Sequence, residues 1–357
     1  MDGLRLQQSI SPQTAPSHTA NLAAGAIAPA ARAQKSRSTE GSACGKAILV
    51  GEHAVVYGAR ALALPIKTMG MRITATSIID TAKLGDRPRG IQGPIHMLLA
   101  GTRVSEHLLA VAYETLELLK QPVEPLKIEG ESSLWIGAGL GSSASLCVGL
   151  LRTLSRHYGV AVSDMQIAAL ANQLEARFHG KPSGLDAAVV ALEQVICFSK
   201  QSGPTPLVAL SHSPVPKKIH SPLRFVLVDS KTRASTKHMV ELAAPYFAGT
   251  IGQQRIAHFD GLTDEMIQAL QKRQPEVIGA IMREAHRLLG EAGVVPMALQ
   301  ELVTLIENTG CLAAKVTGAG GGGSILAMLD DRWGEGNRQL EKLAATIGSN
   351  RILEMEL

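Results

Sequence analysis

The sequence predicts a two-domain fold that mixes strands with helices. Three observations point there. A chain of 357 residues with 45% hydrophobic composition exceeds the usual size of one domain. Short apolar runs ending in glycine-rich turns alternate with segments whose apolar residues recur at helical spacing. The pattern then changes around Ser221-Pro222, so one domain is expected over 41–220 and a second over 221–357.

Residues 1–40 are rich in Ala, Ser, Thr and Pro, carry few acids and lack periodicity, so they are expected to form a disordered tail. Within them Leu22 to Ala33 is modestly apolar and ends in Ala-Arg-Ala, a weak likeness to a cleavage site that Pro29 interrupts. Ala47 to Val50 reads as a short buried strand leading into the polar turn Gly51-Glu52-His53. Ile91 to Leu119 reads as helix from the recurrence of its leucines. A three-residue strand, Leu134 to Ile136, should precede Gly137-Ala138-Gly139-Leu140-Gly141-Ser142-Ser143. After that loop Cys147, Leu150, Leu151, Leu154 and Tyr158 make an amphipathic helix stopped by Gly159. Ser163 and Gln166 form a capping box for a second helix that ends before Gly180 and carries Glu175 near its end. Arg224 to Asp229 reads as a strand. Helices follow from about His238 and over 276–291, then strands at 312–317 and 325–329 flanking a glycine run.

Composition excludes several functions. The 35 Lys+Arg against 31 Asp+Glu give a net charge of +4, which suits an anionic ligand without forming the basic block of a nucleic-acid binder. Only 3% of residues are aromatic, too few for base stacking. Cys44, Cys147, Cys197 and Cys311 are far apart and form no CxxC pair, which argues against structural zinc and a disulfide framework. No apolar run reaches the ~18 residues of a membrane span. A cytoplasmic protein without nucleic-acid or membrane partners is expected.

The loop from Gly137 to Ser143 carries the first chemical signal. Three glycines let backbone N–H groups approach a phosphate, and the helix that follows turns its unpaired N–H groups and dipole towards the same point. The other reading of these residues is a tight strand-to-helix turn with a serine cap. No Gly-Lys-Ser/Thr follows at Walker A spacing, and the glycine run at 318–323 matches GxGxxG too loosely, with no clear helix after it, to mark a dinucleotide site.

Three segments, Gly45 to Gly58, Gly137 to Ala144 and Lys315 to Ser324, resemble the GHMP kinase superfamily in order and spacing, and the run Gly51-Glu52-His53-Ala54-Val55-Val56-Tyr57-Gly58 is most similar to its mevalonate kinases. The resemblance implies an α+β, two-domain GHMP kinase fold, with ATP and acceptor between an N-terminal α/β domain and a C-terminal ferredoxin-like α+β domain. It implies ATP-dependent phosphorylation of the primary hydroxyl of mevalonate with Mg2+, and a homodimer. On the matching motifs, Asp186 of Pro182-Ser183-Gly184-Leu185-Asp186 would face the acceptor hydroxyl, and Lys46 would stabilise developing charge at the phosphoryl group. Gly137, Ala138, Gly139, Leu140, Gly141, Ser142 and Ser143 would hold the ATP phosphates; Ser143 and Glu175 would share the magnesium ion. Glu52, His53, Gly318 and Ala319 would line the acceptor side, His53 binding a carboxylate or hydroxyl. Cys44 and Trp135 stand where relatives commonly have proline. Animal-type relatives have an arginine that an ungapped alignment puts at Ala234, leaving the adjacent Arg233 as a candidate for the acceptor carboxylate. Another small-alcohol kinase, a decarboxylase of phosphorylated mevalonate, and a metabolite sensor on a kinase scaffold are the alternatives.

Overall fold

A computed structural model describes residues 37–78, 94–180, 182–207, 222–331 and 334–357. Among them the first sheet has seven strands: β1 (Ser38–Val50), β2 (Ala61–Ser77), β3 (Ile95–Leu99), β4 (Thr102–Arg103), β5 (Leu126–Ser132), β6 (Ile196–Ser199) and β7 (Gly203–Pro206). The 17-residue β2 is its spine. β1 pairs antiparallel along one side of it, and β5 and β6 share the other side. Four helices belong to this part: α1 (Glu106–Leu118), α2 (Ser142–Tyr158), α3 (Asp164–His179) and α4 (Leu185–Leu192). α2 packs on β1 and β2, with α3 and α4 against it.

The second sheet comprises β8 (Arg224–Asp229), β9 (Ala313–Thr317), β10 (Ser324–Met328) and β11 (Ile352–Glu356) in the order β11-β8-β10-β9, all antiparallel. This is the strand order of a split βαβ, ferredoxin-like sheet. Its helices are α5 (Thr236–Ala243), α6 (Gly249–Gln271), α7 (Pro275–Glu291), α8 (Met297–Glu307) and α9 (Gly336–Ile347). None of the described helices is long and apolar enough to cross a membrane.

β1 explains how the halves are joined. Ala47 and Leu49 enter a core shared with Phe225, Leu227 and Phe259, whereas Ala43 and Ile48 enter the core under α2. With both faces buried, the strand reads as the unbroken apolar run Ala-Ile-Leu-Val.

Three expectations are corrected. β1 starts at Ser38, inside the segment expected as tail, because Ser38 to Glu40 pair with Glu40↔Thr74 through Ser38↔Thr76; residues 1–36 lie outside the described residues. Of the helix expected over Ile91 to Leu119, residues 91–93 lie outside the described residues, and among the described ones α1 begins only at Glu106, capped by the Ser105 hydroxyl. Before it, Ile95 and Met97 are the buried alternates of β3, which pairs in parallel with β5; a leucine-rich run alone cannot distinguish the two. Leu134 to Ile136 is a turn, in which Ala138 N–H donates to Trp135 O at 3.1 Å and Ile136 is exposed. The strand ahead of the glycine loop is β5.

Candidate active site

A cleft of about 680 Å³ opens between the two sheets, and most of the expected site residues line it. On the glycine loop, Gly137, Gly139 and Gly141 take left-handed φ values of 69°, 77° and 77°, which an L-residue adopts only with strain. Gly141 is the N-cap of α2 and no side chain caps that helix, so its first N–H groups stay available to a ligand. Gly137, Gly139, Gly141, Ser142 and Ser143 line the cleft. Ala138 and Leu140 do not: their side chains are buried in the shared core and anchor the loop from beneath.

Lys46 enters from β1. Its N–H donates to Leu140 O at 3.0 Å, tying strand to loop, and its buried side chain brings Nζ to 3.1 Å from Asp186 Oδ2. A Cβ on Gly141 would lie 2.9 Å from Lys46 Cγ, so the glycine makes room for the lysine stem. Asp186 sits in the first turn of α4, behind the N-cap Gly184 at φ 94°. Its side chain is 31% exposed and lines the cleft.

Glu175 lies just ahead of the last turn of α3 and is 1% exposed. Ser143 Oγ donates to Glu175 Oε1 at 3.0 Å and lies 3.0 Å from His179 Nε2. Burial raises the Glu175 pKa, and the nearby Asp186 charge raises it further, against the opposing pull of the Ser143 hydrogen bond and Lys46. A carboxylate and a hydroxyl form a hard-oxygen pair that fits Mg2+. No group of three or more His, Cys, Asp or Glu that could hold a metal occurs among the described residues, so a magnesium ion here would need further oxygens from nucleotide and water. The sequence does not single out His179, although its i+4 spacing from Glu175 puts both on one helix face.

The turn after β1 supplies the opposite wall. His53, at φ 58°, sets Nε2 2.9 Å from Ala319 O, so Nε2 carries the proton in that contact and the buried Nδ1 is left unpartnered. Burial lowers the His53 pKa, partly offset by the Ala319 bond, which favours a neutral ring. Glu52 is 1% exposed. Its Oε1 accepts from Lys315 of β9, which is fully buried and also donates to Ile48 O at 3.3 Å and Val316 O at 2.8 Å. Glu52 Oε2 is buried without a partner. Burial raises the Glu52 pKa and lowers that of Lys315; each charge opposes the shift of the other. Lys315 had a sequence signal of its own, a lysine inside the otherwise apolar strand Ala-Ala-Lys-Val-Thr.

Gly318 and Ala319 line the cleft, but Gly318 does so against the glycine loop: a Cβ there would lie 3.1 Å from Gly139 O. A Cβ on Gly323 would come within 2.8 Å of Ala138 O. The third motif thus braces the loop backbone to backbone. Arg233 is not at the cleft. Its guanidinium donates to Asp229 Oδ1 at 2.7 Å and Oδ2 at 3.0 Å, and its Nε to Ile136 O at 2.8 Å.

The chain matches the models of the GHMP kinases N terminal domain over residues 107–194 and of the GHMP kinases C terminal domain over 266–343. It is 29% identical over 315 residues to a mevalonate kinase of Aeropyrum pernix, covering 86% of this chain and 93% of that protein. It is 30% identical over 292 residues to a mevalonate kinase of Methanothermobacter thermautotrophicus, covering 80% and 88%. Among solved structures, L. major mevalonate kinase in complex with R-mevalonate superposes with a TM-score of 0.71 at 22% identity, covering 92% of this chain and 97% of that one, a likeness of fold. Taken with the two-sheet architecture around the cleft, these matches establish that the chain belongs to the mevalonate kinase family of GHMP kinases.

Proposed function

We propose that this protein transfers the γ-phosphoryl group of ATP to the primary hydroxyl of mevalonate, giving 5-phosphomevalonate and ADP. The observation that carries the reading is the Lys46–Asp186 pair, 3.1 Å apart in the cleft that the uncapped α2 N-terminus also lines. The loop N–H groups and the start of α2 hold the triphosphate. Asp186 accepts a hydrogen bond from the acceptor hydroxyl and takes its proton late, as the new phosphorus–oxygen bond forms. Lys46 Nζ orients Asp186 and faces the charge that builds on the transferring group. Ser143 and Glu175 would hold Mg2+, which would supply charge neutralisation at the phosphates.

On the acceptor side, Glu52 and His53 line the cleft, and the buried His53 Nδ1 and Glu52 Oε2 are acceptors left without a protein partner. A carboxylate needs a cation instead. With Arg233 committed to Asp229, we assign that part to Lys237, which lines the cleft from the first turn of α5. We place the enzyme in the cytoplasm as a homodimer acting without nucleic-acid or membrane partners; four cysteines that form no disulfide support the compartment, and the resemblance supports the assembly.

Coupled ADP-release assays with mevalonate, phosphomevalonate, homoserine and galactose test the reading. Turnover with mevalonate at least tenfold above the others, without carbon dioxide release, is expected. Preference for another acceptor, or none, would refute it.

A further inference from the structure

The loop that would hold the nucleotide is strapped from the other domain. Arg233 follows β8 and reaches across to the carbonyl of Ile136, with Nε 2.8 Å from that oxygen. Its stem lies over Gly137, where an added Cβ would meet Arg233 Cδ at 3.1 Å. The guanidinium is fixed at its far end by a two-pronged pair with Asp229, which is 1% exposed at the end of β8 and also accepts from the Lys231 N–H at 2.9 Å. Lys231 Nζ is 3.2 Å from the same carboxylate.

The carbonyl of Ile136 and the N–H of Gly137 belong to one planar, trans peptide group and point in opposite directions. Holding the oxygen towards Arg233 therefore turns the Gly137 N–H away from it. Gly137 lines the cleft and Arg233 does not, and the Gly137 N–H meets no protein acceptor among the described residues. A glycine peptide could rotate at little steric cost, because both signs of φ are open to it. An external hydrogen bond to its carbonyl removes that freedom.

We infer that Arg233 is a positioning residue for nucleotide binding: anchored on Asp229, it holds the 136–137 peptide with its N–H presented to the ATP phosphates. This rests on the ATP-loop reading above and gives Arg233 a different role from contact with the acceptor carboxylate. Lysine is a poor substitute, since its ammonium lacks the planar fork that here meets both oxygens of Asp229 and the Ile136 carbonyl together.

The test is Arg233→Lys, which keeps the charge beside Asp229, together with Asp229→Asn, which loosens the anchor and leaves the arginine. ATP affinity of the full-length protein is measured by calorimetry without acceptor, and KM is measured for both substrates. Loss of one charge-assisted contact to the loop should weaken ATP binding by about tenfold in either variant. KM for mevalonate should stay within twofold. Unchanged ATP affinity in Arg233→Lys overturns the inference, as does a rise confined to the mevalonate KM, which would return Arg233 to the acceptor carboxylate. Wild-type protein that binds no ATP would instead overturn the reading of the loop itself, a result distinct from either.

Discussion

Replacing Lys315 by Met removes one partner of an ion pair in which both side chains are at most 1% exposed. Met keeps an unbranched stem and lacks only the terminal ammonium position, so the cost is mainly electrostatic. Glu52 would be left as a buried carboxyl with two unpaired oxygens, since Oε2 already has no partner, and the carbonyls of Ile48 and Val316 would lose a donor. Breaking a buried pair from one side typically costs ~3–5 kcal/mol, a large part of the ~5–15 kcal/mol that holds a domain together. Because burial raises the Glu52 pKa and lowers that of Lys315, each group depends on the other for its charge. The double variant Glu52→Gln/Lys315→Met should therefore cost less than the sum of the singles, with a coupling of about 2 kcal/mol or more. Urea unfolding at pH 7, followed by circular dichroism across the four-member cycle, measures both quantities. A Lys315→Met cost below ~1 kcal/mol, or single costs that simply add, would refute the claim that this pair joins the β1 turn to β9.

Asp186→Asn should lower kcat by at least ~10²-fold while ATP binding by calorimetry stays within a few-fold, since the amide cannot take the hydroxyl proton; unaltered turnover would remove Asp186 from the chemistry. Burial and the Asp186 charge raise the Glu175 pKa, so the ligand-free protein retains a proton there above the ordinary carboxylate range, and Mg2+ held by this carboxylate would have to release it. Apparent Mg2+ affinity should therefore rise with pH through the raised pKa, measured by magnesium titration of turnover at pH 6.5 and 8.5. By the same sign the ligand-free fold, which binds this proton more tightly than the unfolded chain, loses stability as pH rises from the ordinary carboxylate range through the raised value. Gly141→Ala puts a Cβ at φ 77° and 2.9 Å from Lys46 Cγ. The left-handed conformation alone costs ~1–2 kcal/mol, and displacement of Lys46 should reduce kcat beyond what the loss of melting temperature explains.

Local signals in the sequence were legible where the backbone follows nearest neighbours. The capping box at Ser163, the stop at Gly159 and the strand Arg224 to Asp229 appear where the residues placed them. The glycine spacing at 137, 139 and 141 likewise encoded a loop with three left-handed residues. The leucine-rich stretch before Ser105 was not legible, because its identity as β3 depends on hydrogen bonds to β5, about 30 residues further on. The start of β1 at Ser38 similarly depends on pairing with β2.

For the site, the sequence by itself determined which residue types are present and how motifs order them: a lysine beside a buried strand, an aspartate at a glycine-led helix start, a glutamate late in α3. Only the tertiary structure decided which of these meet. Lys46 and Asp186 are 140 positions apart in the numbering yet their charged groups lie 3.1 Å apart. The acceptor character of Glu52 and His53 comes from Lys315 and Ala319, more than 260 residues away. Arg233, adjacent to the position matched to a carboxylate-binding arginine, is instead held by Asp229 against the glycine loop. Local conformation is set by a few neighbouring residues, whereas burial, protonation and hydrogen-bond partners are set by what the whole chain brings into contact.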